Sequence, residues 1–159
     1  MSSARDAAIQ LAALLETMDI QYAIGGSFAS SVHGIARPTQ HLDIIAAILP
    51  TQADALTAGL QKEFYVDAEA IREAIRHRRA LNVIHLASGF KIDIFPSSSH
   101  PLGTQQLLRR RIAESTILGG AASFPVISAE DTIFVKLLWY RDGGESSDRQ
   151  WNDLRNIVM

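Results

Sequence analysis

Residues 22–46 have the sequence YAIGGSFASSVHGIARPTQHLDIIA, and this stretch decides the fold. It begins with an apolar run, Tyr22 to Ile24, that is typical of a buried strand. Gly25-Gly26 ends the run, and Ser27 directly behind it is a predicted N-cap for a short helix. A second apolar run, Leu42 to Leu49, predicts another buried strand. The stretch is therefore predicted to form a strand, a glycine turn, a helix and a second strand.

Outside this stretch, hydrophobic periodicity and cap signals predict further helices and strands. Two strand-like runs joined by Ala87-Ser88-Gly89 predict an antiparallel hairpin. The segment from Pro96 to Pro125 is the least regular, and we place no site there. The order of elements predicts an α+β fold, a mixed β-sheet with flanking helices. The predicted helices cover residues 4–18, 27–33, 51–62, a charged segment ending near 78, 104–111, 128–140 and a last helix from Ser147; the predicted strands cover 22–24, 42–49, 64–66, 81–86 and 90–95.

Length and composition favour a soluble globular protein. The chain has 159 residues, of which 47% are hydrophobic and 20% charged, and a net charge of -2. We expect a single domain over residues 1–159, with its core in 20–96 and a C-terminal helical part in 128–159. The chain has no cysteine, which excludes disulfides, thiolate metal sites and a cysteine nucleophile. No apolar run approaches the roughly 20 residues of a membrane span, so we expect no membrane contact and a cytoplasmic location.

Two aspartates lie inside predicted strands. Asp43 interrupts the apolar run 42–49, and Asp93 lies between Ile92 and Ile94. A buried, ionised carboxylate needs a cation or several hydrogen-bond donors to offset its lost hydration. If the two strands are neighbours, the period of two along a strand brings both carboxylates to one face of the sheet. A divalent metal would explain both carboxylates.

A purely structural interpretation stays open for these carboxylates. Asp43 would then pair with Arg37 or Lys136, and Asp93 would pair with Lys91, two residues earlier on the same face of its strand. The glycine turn has a structural interpretation of the same kind, as a tight turn with a capping serine. Lys136 is the only charged residue in the run 133–140, and it could simply extend its ammonium group out of a mostly buried helix.

Taken together, these residues resemble a known signature. The similarity is to the DNA polymerase beta-type nucleotidyltransferase superfamily, with its Gly-Gly-Ser and Arg-x-Thr-x-Asp-x-Asp motifs, and within it to small bacterial AbiEii-like nucleotidyl transferases of toxin–antitoxin systems. It spans roughly residues 20 to 158, and the combination of motifs is specific although each motif alone is weak. The residues that carry it are Gly25, Gly26, Ser27, Gly34, Arg37, Thr39, Asp43, the strand Phe90 to Asp93, Ser128 with Asp131 and Lys136, Arg141, and Ser147 to Asp153.

The resemblance implies roles for these residues. Carboxylates on two neighbouring strands would hold Mg²⁺ or Mn²⁺, which bridges the triphosphate of an NTP substrate and activates an acceptor hydroxyl. By position, the metal ligands would be His41, Asp43 and Asp93. The nucleotide would lie on Gly25, Gly26, Ser27, Arg37 and Thr39, and Lys136 would join Asp43 and Asp93 as a catalytic residue that neutralises phosphate charge.

One position departs from the signature. Where the superfamily has the first aspartate of the Asp-x-Asp pair, this chain has His41. Mg²⁺ prefers oxygen ligands, and a neutral imidazole also removes negative charge from the site. We therefore expect either weak activity or the use of a softer ion such as Mn²⁺. Alternatively, His41 is a loop-edge residue that hydrogen-bonds to the backbone. The other histidines, His33, His77, His85 and His100, lack metal-ligand spacing and are expected to be structural.

Partners are less defined by the sequence. The acceptor implied by the resemblance is a tRNA, a protein or a small molecule, and a toxin or antitoxin protein is a further expected partner. Two basic clusters, residues 72–79 and Arg109 to Arg111, would suit an RNA backbone, although solvated helix faces explain them equally well. We also expect the last helix to leave Trp151 and Leu154 partly uncovered, or buried in a homo-oligomer contact.

Two functions remain after the sequence analysis. The first is an enzyme that transfers a nucleoside monophosphate from an NTP to a hydroxyl group. The second is a catalytically silent relative that keeps the fold and binds a nucleotide or a protein partner, which the histidine at position 41 favours.

Overall fold

The structure is a computed structural model that describes residues 3–145 and 147–159. Among these residues, every helix is too short or too polar to cross a bilayer. Short 3₁₀ turns occur at Pro50–Gln52 and Ser97–Ser99. The helices are α1 (Ala4–Thr17), α2 (Gly26–His33), α3 (Ala53–Leu60), α4 (Ala68–Arg76), α5 (Gly103–Leu108), α6 (Ala129–Asp142) and α7 (Asp148–Val158). The strands are β1 (Tyr22–Ile24), β2 (His41–Ala46), β3 (Phe64–Tyr65), β4 (Leu81–His85), β5 (Lys91–Pro96), β6 (Arg111–Ser115) and β7 (Ala122–Val126).

The strands of the described residues form one mixed sheet in the order β3-β4-β5-β2-β1-β7-β6. The pairs β2–β5 and β1–β7 are parallel, and the other four pairs are antiparallel. The predicted hairpin is the antiparallel pair β4–β5. Helices flank the sheet, so the predicted α+β class with a mixed sheet is confirmed.

The pairing of β2 with β5 positions the two aspartates. In this parallel register Asp43 lies opposite Asp93, and Ile44 lies opposite Ile94. Both strands alternate between buried and partly buried residues, and the isoleucines are at most 1% exposed while the aspartates are partly buried. The isoleucines therefore anchor one face in the core, and the aspartates share the other face. The expectation that these strands are neighbours is confirmed.

Serine N-caps were predicted at three helices. Ser128 accepts a hydrogen bond from the Asp131 N–H at 3.1 Å, and Ser147 accepts one from the Gln150 N–H at 3.3 Å, so α6 and α7 begin where expected. At α2 the prediction was wrong. Gly25 occupies the N-cap position and Ser27 lies inside the first turn, because the helix begins two residues earlier than a cap at Ser27 would require.

The irregular segment 96–125 contains a strand that the sequence did not predict. The predicted helix 104–111 ends at Leu108, and β6 begins at Arg111. β6 is a sheet-edge strand whose side chains are mostly exposed, so it lacks the alternating apolar pattern by which strands are recognised. It pairs with β7, another strand that the sequence analysis missed.

The last helix packs only partly as expected. Trp151 is 49% exposed, whereas Leu154 is 4% exposed and belongs to the buried residues. The expectation of an uncovered apolar face therefore holds for Trp151 and is wrong for Leu154. The close approach of α7 to α2 explains the burial, since a Cβ at Gly34 would lie 3.1 Å from the Asn156 carbonyl oxygen.

Candidate functional site

The glycine turn lies directly against Asp43. The Gly25 N–H donates to the Asp43 carbonyl oxygen at 2.9 Å, which extends the β1–β2 pairing into the turn. Gly26 begins α2 with a φ of +58°, and a Cβ at this position would lie 2.0 Å from Asp43 Oδ2. Only glycine fits, because any side chain would be strained by the backbone and would overlap the carboxylate.

We expect Gly26→Ala to lower the free energy of unfolding by about 2–5 kcal/mol. About 1–2 kcal/mol comes from the left-handed backbone, and about 1–3 kcal/mol comes from the overlap with Asp43. Urea unfolding measures this loss. The matched control is Gly89→Ala, since Gly89 has a φ of +72° but no atom within 4 Å of its would-be Cβ. Equal losses in the two variants would contradict the close contact between Gly26 and Asp43.

Three of the predicted residues form a cluster with the spacing of a metal site. One ligand atom from each of His41, Asp43 and Asp93 lies within 4.8 Å of the others. His41 Nε2 is 3.5 Å from Asp43 Oδ2. The side chain of His41 thus faces the carboxylates from the first position of β2, and the loop-edge alternative does not describe its ring.

The two carboxylates of the cluster are only partly balanced by nearby positive groups. Burial raises the pKa of Asp43 above its ordinary value, and the nearby Asp93 adds to the rise, while His41, Lys136 and Lys91 act in the opposite direction. Asp93 Oδ1 is buried and accepts no hydrogen bond within the described part of the chain, although the Lys91 ammonium lies 3.3 Å away. Lys91 balances part of its charge, and a bound cation would supply the direct contact that this buried oxygen lacks.

Among the described residues, only one of the ion pairs expected from the purely structural interpretation of Asp43 and Asp93 is present. Lys91 does approach Asp93 as the structural interpretation proposed, but Arg37 and Lys136 are both directed to Asp153 instead of Asp43. An orphaned oxygen, a nearby carboxylate and an imidazole nitrogen together fit a divalent cation. His41, Asp43 and Asp93 are the described residues that would hold it.

Ser27 and Thr39 contact each other beside the glycine turn. Thr39 Oγ1 donates to the His41 carbonyl oxygen at 2.7 Å and lies 3.0 Å from Ser27 Oγ. A hydroxyl has one proton, so Ser27 is the donor in this pair. Its hydroxyl is thereby occupied, while its main-chain N–H belongs to the first turn of α2, where the N–H groups lack acceptors within the helix.

Arg37 and Lys136 meet on a buried aspartate that the sequence analysis did not single out. Asp153 Oδ2 accepts from Arg37 Nη2 at 2.8 Å and lies 3.0 Å from Lys136 Nζ. Lys136 is 3% exposed, which excludes the alternative of an ammonium group extended into solvent. Its pKa is lowered by burial, although Asp153 acts against that shift. This trio joins α6, α7 and the segment before β2.

A pocket of about 240 Å³ lies beside the cluster. Gly25, Gly26 and Asp43 line one side, and apolar residues of β2, β5 and α6 form the walls. The remaining side comes from the segment 96–125, in which the sequence analysis places no site. Its contribution consists of Ser97, Ser99, His100, Gly103 and Gln106.

The other histidines are mostly structural, as expected. His85 is fully buried between Ser88 Oγ and Gln10 Oε1, each at 2.7 Å, and His33 contacts the Ile127 carbonyl oxygen at 2.7 Å. His100 is different because it lines the pocket. No sequence signal marked it, since its position depends on the course of an irregular segment.

The two basic clusters have acidic partners within the chain. Arg72 bonds to Asp54 at 2.8 Å, and Arg76 bonds to Glu73 at 2.7 Å. Arg109 forms a two-pronged ion pair with the buried Asp131, at 2.6 and 3.1 Å. Local pairing favours the interpretation of these clusters as ordinary helix faces and contacts, and an RNA partner stays a prediction.

Comparison with known proteins identifies the fold. No protein-family model matches the sequence, and no curated protein is significantly similar to it. Among solved structures, the lincosamide antibiotic adenylyltransferase LnuA, with lincomycin bound, has a TM-score of 0.58 and 14% identity over 94% of this chain and 93% of that one. The chain has the nucleotidyltransferase fold. It shares this fold with LnuA although the two sequences are only 14% identical.

Two further structures have the nucleotidyltransferase fold in common with this chain. An antigenic nucleotidyltransferase-like protein from Paracoccidioides brasiliensis matches with a TM-score of 0.56 and 18% identity, over 95% of this chain and 72% of that one. The antibiotic-resistance factor ANT(2'')-Ia matches with a TM-score of 0.54 and 12% identity, over 93% and 78%. At these identities the similarity is one of fold, and the AbiEii-like subtype stays a prediction.

Proposed function

We propose that this protein is a metal-dependent nucleotidyltransferase, which moves a nucleoside monophosphate from an NTP to a hydroxyl acceptor. The observation that carries the proposal is the group of His41, Asp43 and Asp93, with ligand atoms within 4.8 Å of one another, packed against the glycine turn. Carboxylates beside free helix N–H groups suit a metal–triphosphate complex, because the cation meets the oxygens and the phosphates meet the N–H groups.

In the proposed reaction, the bond between the α-phosphorus and pyrophosphate breaks while a bond to the acceptor oxygen forms, and the acceptor hydroxyl loses its proton. A bound divalent cation would supply charge neutralisation and activation of that hydroxyl. The first turn of α2 would hold the outer phosphates through its N–H groups, and the lack of a side chain at Gly26 lets them lie close to Asp43.

Arg37 and Lys136 would neutralise phosphate charge, and Asp153, which pairs with both, would hold them in place. Asp153 holds both cations beside the site, and Lys136 is close enough to Asp43 to lower its pKa. Phosphate oxygens compete with Asp153 for these donors, so a bound triphosphate would add acceptors to a preassembled pair of cations. A buried lysine that is held in this way is already ordered before the triphosphate binds. Binding therefore costs no further side-chain entropy at Lys136.

The proposed acceptor is a hydroxyl group of a small molecule, a tRNA or a protein. LnuA is an antibiotic adenylyltransferase with lincomycin bound, and this favours a small-molecule hydroxyl as one acceptor class. A tRNA end or a protein hydroxyl remains the alternative acceptor, and a toxin or antitoxin remains the proposed protein partner on the AbiEii resemblance. The partly exposed Trp151 on α7 would suit a contact with a second copy of the chain.

The ion is expected to be Mn²⁺ rather than Mg²⁺. Imidazole binds transition-metal ions more readily than it binds Mg²⁺, so we expect Mn²⁺ to bind about tenfold or more tightly in the absence of nucleotide. Titration calorimetry and the paramagnetic resonance signal of free Mn²⁺ measure this directly. Asp93→Asn, which removes a ligand charge at nearly constant size, should weaken Mn²⁺ binding by at least as much. The proposed metal site would be contradicted if Mn²⁺ and Mg²⁺ bound with equal affinity and if Asp93→Asn left both affinities unchanged.

The second candidate function is nucleotide or partner binding without catalysis. The observation in its favour is His41, which brings no negative charge to the cluster. A silent protein and a slow enzyme differ in one measurement, the transfer of label from an α-labelled NTP to cell-extract RNA, protein or small molecules with Mn²⁺ present. Labelled product with the wild-type protein supports the enzyme, and NTP binding without product supports the binding protein.

A further inference from the structure

The pocket beside the cluster is lined by a side-chain amide that has no hydrogen-bond partner among the described residues. Gln106 is 2% exposed and lines the pocket, and its side-chain amide makes no hydrogen bond to the described residues. Its neighbour Gln105 is exposed. An amide at a pocket wall that has no partner within the chain keeps its donor and acceptor groups for a ligand or water. The amide of Gln106 is therefore available to a molecule in the pocket.

A second polar group lines the same pocket. His100 Nδ1 accepts a hydrogen bond from the Leu102 N–H at 3.1 Å. In the neutral ring the proton then lies on Nε2, which is a donor. Within the described residues Nε2 has no acceptor. Gln106 and His100, which both line the pocket, thus offer it donors from the amide nitrogen and from Nε2 and one acceptor, the amide oxygen.

Much of the remaining lining suits a flat, uncharged ring. It is largely apolar and includes the aromatic side chains of Phe95 and Trp139, and Asp43 is the only carboxylate among the described lining residues. A polycationic acceptor would find no further negative charge in such a pocket. The volume of about 240 Å³ is below the roughly 300–1,000 Å³ of pockets that enclose a whole drug-sized ligand. The pocket is therefore sized for a part of a substrate.

We propose that this pocket holds the base of the nucleoside triphosphate and that Gln106 recognises the base by hydrogen bonds to its edge. The proposal rests on the proposed function, because it places the phosphates at Gly26 and the α-phosphate at Asp43, both of which line the pocket. A nucleobase is a planar ring with donors and acceptors along its edge. The amide of Gln106 carries one acceptor and a two-proton donor, so it pairs with such an edge in two places.

The test compares Gln106→Met with Gln105→Met, its exposed neighbour on α5. Calorimetry with Mn²⁺ measures the binding of ATP, GTP, CTP and UTP to each variant, with inorganic tripolyphosphate as a probe that lacks a base. We expect the wild-type protein to prefer one base, and Gln106→Met to weaken binding of that nucleotide about tenfold, the size of effect that an amide–base pair contributes. Tripolyphosphate binding should not change, and Gln105→Met should behave as the wild type.

His100→Ala provides a second variant if Gln106→Met unfolds, and it should also reduce the preference between bases. Both variants could instead bind NTPs and tripolyphosphate as the wild type does, with the same base preference. That result would overturn the proposed base pocket, while the proposed function would stand. If neither NTP nor tripolyphosphate binds to the wild-type protein, the proposed function fails and the base pocket fails with it. Equal wild-type affinity for all four nucleotides would also overturn the recognition of the base by Gln106.

Discussion

His41→Asp is expected to raise nucleotidyl transfer with Mg²⁺ at least tenfold. The substitution restores a carboxylate where the signature has one, and it adds a negative charge to a cluster whose other members are Asp43 and Asp93. Each 1.4 kcal/mol of transition-state stabilisation is about tenfold in rate, which one added metal ligand readily supplies. The side chain of His41 is 42% exposed, so aspartate fits without disturbing the core. Incorporation of label from an α-labelled NTP measures the gain.

Two control variants and one stability measurement test whether the gain comes from the added carboxylate. His41→Asn removes the imidazole without adding charge, so it should not raise the activity. In the His41→Asp background, Asp43→Ala should lower the transfer by about 10²-fold or more, the scale of losing one electrostatic group from an active site. Without metal, three close carboxylates repel one another, so the melting temperature of His41→Asp should fall, and Mg²⁺ should restore it. No gain over wild type, and no Mg²⁺-dependent rise in melting temperature, would contradict the role of position 41.

The position of the carboxylates was predictable because it depends on a period of two along a strand. Asp43 and Asp93 both interrupt apolar runs, and side chains that alternate with buried isoleucines must share the other face once the strands pair. The parallel register then aligns them. The glycine turn was predictable because Gly25 and Gly26 end an apolar run, whereas the contact of Gly26 with Asp43 required the structure.

The pocket was not predictable from the same kind of pattern. Gln105 and Gln106 are adjacent and chemically identical, and only the packing of α5 decides that one is exposed and the other buried. His100 follows a 3₁₀ turn of serines, where no periodicity exists to assign a direction to its side chain. Long-range packing, rather than local sequence, therefore determines which residues of the segment 96–106 face the site.

Asp153 was missed because its partners are far away along the chain. Lys136 was expected at the phosphates, and Arg37 with it, but the sequence gives no signal that the two would share an acceptor on α7. Burial alone would raise the pKa of Asp153, but hydrogen bonds from Arg37 and Lys136 hold it below the ordinary value. The carboxylate is therefore charged at neutral pH and offsets the burial of Lys136.

Asp153→Asn is accordingly expected to lower the free energy of unfolding by about 3 kcal/mol at neutral pH, since it leaves the buried ammonium of Lys136 without a counter-charge. This is a large part of the roughly 5–15 kcal/mol that stabilises an ordinary domain. Urea unfolding measures the loss, and Asp142→Asn, an exposed position at the end of α6, is the control and should change stability by less than about 0.5 kcal/mol.

The loss should also depend on pH in a defined direction. The pKa of Asp153 is lowered in the folded protein. The contribution of its charge to the free energy of unfolding is therefore complete above the ordinary aspartate pKa of about 3.9, and it disappears as the pH falls through the pKa that Asp153 has in the folded protein. The gap between wild type and Asp153→Asn should therefore close in acid. It should also narrow in alkali, because the lowered pKa of Lys136 lets the variant shed the stranded charge. Adding Lys136→Met removes that charge at every pH and should recover most of the stability. A gap that is the same from acid to alkali, or no recovery in the double variant, would show that Asp153 acts through packing and not through its charge.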